Sequence, residues 1–161
     1  MQVKAGVVRA MVMRSGRRLQ MALVGTFLWV LACAPDLPDD LPALVQLMAS
    51  NDMDLHTHAA RKVFDQYGVD GLIEALQSSS PGARRQAARF IRLHPEAKAR
   101  APIMKATRDE DPTVRAWATF ALMSYPDAGA RSRLAELLSD PDPLVRSRAK
   151  EALDAVGSLA Q

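Results

Sequence analysis

The sequence predicts an all-α fold, a short solenoid of about four helical hairpins, and three observations carry that prediction. Asp111-Pro-Thr-Val-Arg-Ala-Trp-Ala-Thr-Phe-Ala-Leu122 returns 31 residues later as Asp142-Pro-Leu-Val-Arg-Ser-Arg-Ala-Lys-Glu-Ala-Leu153, with Asp, Pro, Val, Arg, Ala, Ala and Leu in register. A fixed period of that length is the mark of stacked structural repeats. Proline recurs directly after a capping side chain, at Ser80-Pro81, Asp111-Pro112 and Asp142-Pro143. The composition, rich in Ala, Leu and Arg and poor in aromatics, suits short, closely packed helices better than a sheet.

The first 32 residues read as an address rather than as part of the solenoid. Arg14-Ser-Gly-Arg-Arg18 precedes a mostly apolar run from Leu19 to Ala32. A basic stub before so short a run is the layout of a secretory signal; a spanning helix needs ~20 apolar residues. Translation starting at Met1, Met11 or Met13 is compatible with it, and the last two give a signal of ordinary length. Arg17-Arg18 is similar to a twin-arginine signal, but Leu19-Gln20 breaks that pattern. These residues carry five basic side chains and no acid. Without them 16 basic residues face 18 acidic ones, a net charge of −2, so the overall pI near 9.3 is no argument for nucleic acid.

The run ends at Val30-Leu-Ala-Cys33, the only cysteine. This resembles a bacterial lipobox, in which a cysteine after a small residue is lipidated and becomes the first mature residue. Cleavage within Ala32-Cys-Ala34 by an ordinary signal peptidase is opposed by Pro35, and a buried unmodified thiol is the third reading. The resemblance implies a palmitate-bearing lipoprotein of the cell envelope. Ala34 after the cysteine, rather than Asp, implies the periplasmic face of the outer membrane. Residues 33–40 then form the lipidated cysteine and a stiff, acidic tether.

From 41 to 157 the period divides the chain into units at 41–68, 69–95, 96–126 and 127–157, leaving 158–161 as a tail. Pro81, Pro112 and Pro143 share a column, as do Ala87, Ala118 and Ala149, and Ile91, Leu122 and Leu153. Leu72, Ile103 and Leu134 mark the preceding helix of each pair, and a shorter copy runs through Leu44, Met48, Ala60 and Val63. Ser or Asp before each proline supplies an oxygen for first-turn amides, and proline at the first helical position forfeits only an amide that had no partner. Pro95 and Pro126 follow segments they cannot continue. Gly68 and Gly157 stand where left-handed caps are expected. Val114, Ala118, Ala121 and Leu122 lie on one helical face, which the spacing predicts to be buried.

The motif Asp-Pro-x-Val-Arg-x-x-Ala-x-x-Ala-Leu at 111–122 and 142–153 resembles HEAT-like repeats, of the short kind noted in phycobilisome lyases. The resemblance covers about 41–157 and implies a right-handed α–α superhelix with a concave face lined by the second helices, usually a binding scaffold. It also implies that Asp111–Arg115 and Asp142–Arg146 pairs are structural and tie neighbouring units together, four residues being one helical turn. The polar last helix suits a terminal cap, whereas the helix from Leu41 to Met48 is apolar enough to require cover.

Catalytic candidates are absent: the sequence has no hydrolase serine elbow, phosphate-binding loop or metalloprotease helix. In Asp52-Met-Asp54-Leu-His56-Thr-His58 a helix brings only Asp54 and His58 to one face, so this stretch reads as a solvated helix start, not a metal site. His94 reads as a surface residue. No cofactor and no small-molecule substrate are expected.

Residues that break their columns are more informative. Trp117 aligns with Gln86 and Arg148, Phe120 with Arg89 and Glu151, and Met123 with Arg92 and Asp154. Columns polar elsewhere are expected to be exposed, yet the third unit is apolar in all three. Beside them Arg85, Arg89 and Arg92 form a basic stripe. Trp117, Phe120, Met123 and these arginines are therefore either a partner-binding groove or aromatics packed on a neighbouring unit beneath arginine stems. The expected function is a non-catalytic, envelope-anchored scaffold for a protein or peptide; the alternative is a cytoplasmic HEAT-like protein serving nucleic acid or a lyase-type enzyme.

Overall fold

The computed structural model describes residues 36–158; the signal segment and Cys33 fall outside this range. Every regular element among the described residues is helical. The helices are α1 Leu41–Leu47, α2 Met53–Ala75, α3 Pro81–Leu93, α4 Arg100–Ala106, α5 Pro112–Ala121, α6 Ala128–Leu137 and α7 Pro143–Ser158. Short 3-10 turns at Ala97–Ala99 and Leu122–Ser124 precede α4 and follow α5. None of these helices is long and apolar enough to cross a membrane.

Helix α1 packs on α2, α4 on α5 and α6 on α7, while α3, α5 and α7 stack directly on one another. The result is a helical solenoid. Its core follows the aligned columns: Leu44, Leu72, Ile103 and Leu134 from the first helices and Ala87, Ala118, Ile91 and Leu122 from the second are fully buried. Alanine recurs where axes approach because a larger side chain would hold stacked helices apart.

Helix starts follow the expected chemistry at two of the three prolines. The Asp111 carboxylate accepts from the amides of Thr113 and Val114 at 2.8 and 3.0 Å, and Asp142 from Leu144 and Val145 at 2.8 and 3.2 Å. Ser80 makes no such bond; instead its amide donates to Ser78 Oγ at 3.2 Å. The glycines also divide. Gly68 kinks α2 with φ 62° and ψ −153°, a glycine-only conformation but not the left-handed helical cap expected there. Gly157 lies inside α7, which runs through Ser158 and so takes in the first residue of the expected tail.

The acidic tether is not free along its length. Lys62 Nζ donates to the Leu37 carbonyl at 2.6 Å and pairs with Asp39 at 2.8 Å, while Tyr67 donates its hydroxyl proton to the Asp39 carbonyl at 2.6 Å. Leu37, like Leu41, Val45 and Leu47 of α1, is partly buried and packs against the core.

Candidate functional site

The repeat arginines hold partners other than those the sequence predicts. Arg115 does not pair with Asp111, which caps its own helix. It binds Asp140 instead, with Nε to Oδ2 at 3.1 Å and Nη2 to Oδ1 at 3.0 Å. Arg84 binds Asp109 in the same way, both bonds at 2.8 Å. In each case Nη1 holds two carbonyls of the arginine's own preceding turn, Ser78 and Ser79 for Arg84, Asp109 and Glu110 for Arg115. Arg146 likewise binds the Asp140 and Pro141 carbonyls at 2.8 Å, not Asp142. A carboxylate engaged with first-turn amides faces along its own helix start, so the arginine one turn later reaches the acid of the next unit. Arg84 and Arg115 thus tie neighbouring units together, whereas Arg146 holds only its own preceding turn.

The 52–58 stretch is solvated as expected except at His56. This residue is buried and stands in the arginine column, where its Nδ1 donates to the Ser50 carbonyl at 3.1 Å. His58 is exposed and donates to the Asp54 carbonyl rather than meeting its carboxylate. Exposed His94 stacks on Phe64, ring centroids 3.9 Å apart.

The column-breaking residues do gather. Trp117 and Phe120 are half-buried on α5 with ring centroids 6.2 Å apart. Arg89 on α3 lies over Trp117 at 5.9 Å, and Arg92 over Phe120 at 4.5 Å. Arg148 on α7 lies over both rings, 5.6 Å from Trp117 and 4.5 Å from Phe120. Cations and aromatic faces therefore alternate across three successive second helices. Each contact is favourable because the ring quadrupole attracts the cation, by about 0.5–1 kcal/mol at exposed sites.

Two expected members stand apart from this stack. Arg85 is half-buried and lies over no ring among the described residues; its column holds buried Ala116 and exposed Ser147. Met123 packs at the core edge. The expectation that the Trp117 column is exposed also fails at Gln86, which is buried, with Oε1 accepting from Arg89 Nη1 at 3.5 Å. Arg148 was the member that column-breaking could not flag, because it conforms to a polar column. Its alignment with Trp117 one unit earlier was the available signal, since stacked repeats bring equivalent positions together.

The arginines of this face differ among themselves in charge pairing. Arg148 is paired with Glu151 at 2.8 Å, whereas no described carboxylate lies within ion-pair distance of Arg85, Arg89 or Arg92. Arg92 Nε is buried without a hydrogen-bond partner. Away from the stack, a concavity of about 900 Å³ lies between Ile73 of α2 with the following Leu76 and Pro102 and Lys105 of α4. Asp109 on its lining is already committed to Arg84.

A family model for HEAT repeats matches residues 69–154. The chain belongs to the HEAT-repeat family. Its solved HEAT-like neighbours include human deoxyhypusine hydroxylase in complex with glycerol, at 20% identity and a TM-score of 0.59, over 75% of this chain and 44% of that one. An engineered protein aligns at 23% identity and a TM-score of 0.53, over 73% of this chain and 64% of its own. A second aligns at 23% and 0.50, over 73% and 62%. This chain thus spans less than two thirds of each, and at these identities the likeness of one HEAT-type solenoid to another is a likeness of fold. No curated protein matches it.

Proposed function

We propose that this HEAT-repeat chain is a non-catalytic scaffold that binds a protein or peptide on its second helices and is held at the cell envelope by a lipid on Cys33. One observation carries the binding half of the reading. Trp117 and Phe120, which replace polar residues of the repeat, lie together and half-exposed among arginines from both neighbouring units. Tryptophan and arginine are the residue types that most often anchor interfaces. The anchoring half rests on the basic stub, the apolar run and Ala32-Cys33. Its location would be the periplasmic face of the outer membrane.

Two measurements test the halves separately. Replacing both Trp117 and Phe120 with Ser is expected to leave a folded protein that no longer captures its envelope partners; retained capture by the folded variant overturns the binding reading. Metabolic palmitate labelling is expected to mark the wild type and not Cys33→Ala. An unlabelled wild type recovered from the cytoplasm overturns the anchor.

A further inference from the structure

We propose that the arginine–aromatic stack receives an acidic peptide segment, whose carboxylates bind the guanidinium groups of Arg89 and Arg92. The inference rests on the scaffold reading and specifies what the partner must present.

Three features favour carboxylates. First, Arg84, Arg100, Arg115, Arg133 and Arg148 each hold an Asp or Glu. Arg89 has only the 3.5 Å bond to Gln86, and Arg92, whose Nε is buried, meets no described carboxylate. What sets these two apart from other arginines without an ion pair, such as Arg61 or Arg108, is that each also lies over an aromatic ring. Second, lying over a ring positions a guanidinium without neutralising it, because the ring offers polarisable charge but no carboxylate. The planar fork of donors remains matched to a carboxylate, and its immobilisation lowers the entropy lost on binding. Third, Arg89 and Arg92 are three residues apart on α3, so they are neighbours on one helix surface.

The same geometry favours a peptide over single-stranded nucleic acid. Bases bind such surfaces by stacking on aromatic faces. Here Trp117 already carries Arg89 and Arg148, and Phe120 carries Arg92 and Arg148, so a base would have to displace a guanidinium. The charge pattern agrees. Glu151 on α7 already pairs with Arg148 on the stack's other side, and residues 36–158 carry 16 basic against 18 acidic side chains. That suits a short acidic segment on the α3 side better than an extended polyanion.

The test uses the full chain with Trp29→Phe, which leaves Trp117 as the only tryptophan. A synthetic decapeptide of alternating Glu and Asp is titrated while Trp117 fluorescence is followed, with its Gln/Asn counterpart and a ten-nucleotide thymidine strand as competitors. Saturable binding of the acidic peptide is expected, with Kd raised at least tenfold by Arg89→Gln plus Arg92→Gln. Arg89→Lys plus Arg92→Lys keeps the charge but not the fork, and is expected to raise Kd at least threefold even if the Gln pair does not fold. Equal binding of the Gln/Asn peptide, tighter binding of the oligonucleotide, or wild-type affinity in the Lys pair each overturns the proposal. If envelope partners are captured through Trp117 and Phe120 while the acidic peptide fails to bind, the scaffold reading stands and this inference falls.

Discussion

Arg115 and Asp140 are 25 residues apart and form a two-point ion pair that joins α5 to the turn before α7. Asp140 also accepts from the Asp142 amide at 2.9 Å, so one carboxylate shapes its own turn and receives the preceding unit's arginine. Both side chains are largely buried, at 15% and 9% exposure. Asp140→Ala leaves the Arg115 cation without its carboxylate and is expected to cost about 3–5 kcal/mol, the range for breaking a buried pair. Asp142→Ala removes only a cap, about 1 kcal/mol. Urea unfolding of the two variants side by side measures the difference; equal losses would refute the assignment of roles.

Ala118 is fully buried on α5, between stacked second helices. Ala118→Glu places a charge there without a partner, and a cost on the order of 4 kcal/mol is expected. Circular dichroism melts report it, and a melting temperature unchanged from wild type would refute the packing described.

Gly68 and Gly157 should respond in opposite directions to alanine. At Gly68 the positive φ strains any side chain, although open space surrounds the position, so a loss of about 1–3 kcal/mol is expected. At Gly157, inside a helix and also in open space, alanine is expected to be neutral or to stabilise by up to about 1 kcal/mol. Thermal melts of the two single variants decide it.

Acid should loosen the links between units. The Thr113 hydroxyl, with the Thr113 and Val114 amides, lowers the Asp111 pKa against the opposing effect of burial. Burial raises that of Asp140, but the Arg115 bond and the Asp142 amide outweigh it and the net shift is downward. Arg100 holds Asp127 well below the ordinary range. A carboxyl whose folded pKa is depressed contributes stability that is complete above its unfolded value and lost as pH falls through the folded one. Stability is therefore expected to hold down to the ordinary carboxylate value of 3.8 and to decline below it. Arg115→Met should flatten part of that decline in a pH series of urea titrations; an identical slope would refute the linkage.

The candidate site was legible in part. Trp117 and Phe120 could be singled out because aromatic residues in a polar column contradict their repeat. Arg89 and Arg92 followed from helical spacing. Arg85 falls on the same stripe by spacing, yet its counterpart in the third unit is buried Ala116 rather than an aromatic, and spacing along one helix does not say what the next unit sets beside it. Arg148 conforms to its column, so its alignment with Trp117 one unit earlier is the one sequence signal for it, and its position over both rings is what reveals it.

The sequence alone determined the helices, the repeat period and most of the buried columns, because capping, proline geometry and helical periodicity act over a few residues. The tertiary structure decided which carboxylate each arginine holds. Asp111 is near Arg115 in the chain, but its oxygens are committed to α5's first turn, whereas stacking brings Asp140 within hydrogen-bond reach. It likewise decided that Arg148 joins the ring stack while Arg85 does not. Ion pairs and cation–π contacts depend on separations of a few ångströms between units, and those are fixed only once the helices pack.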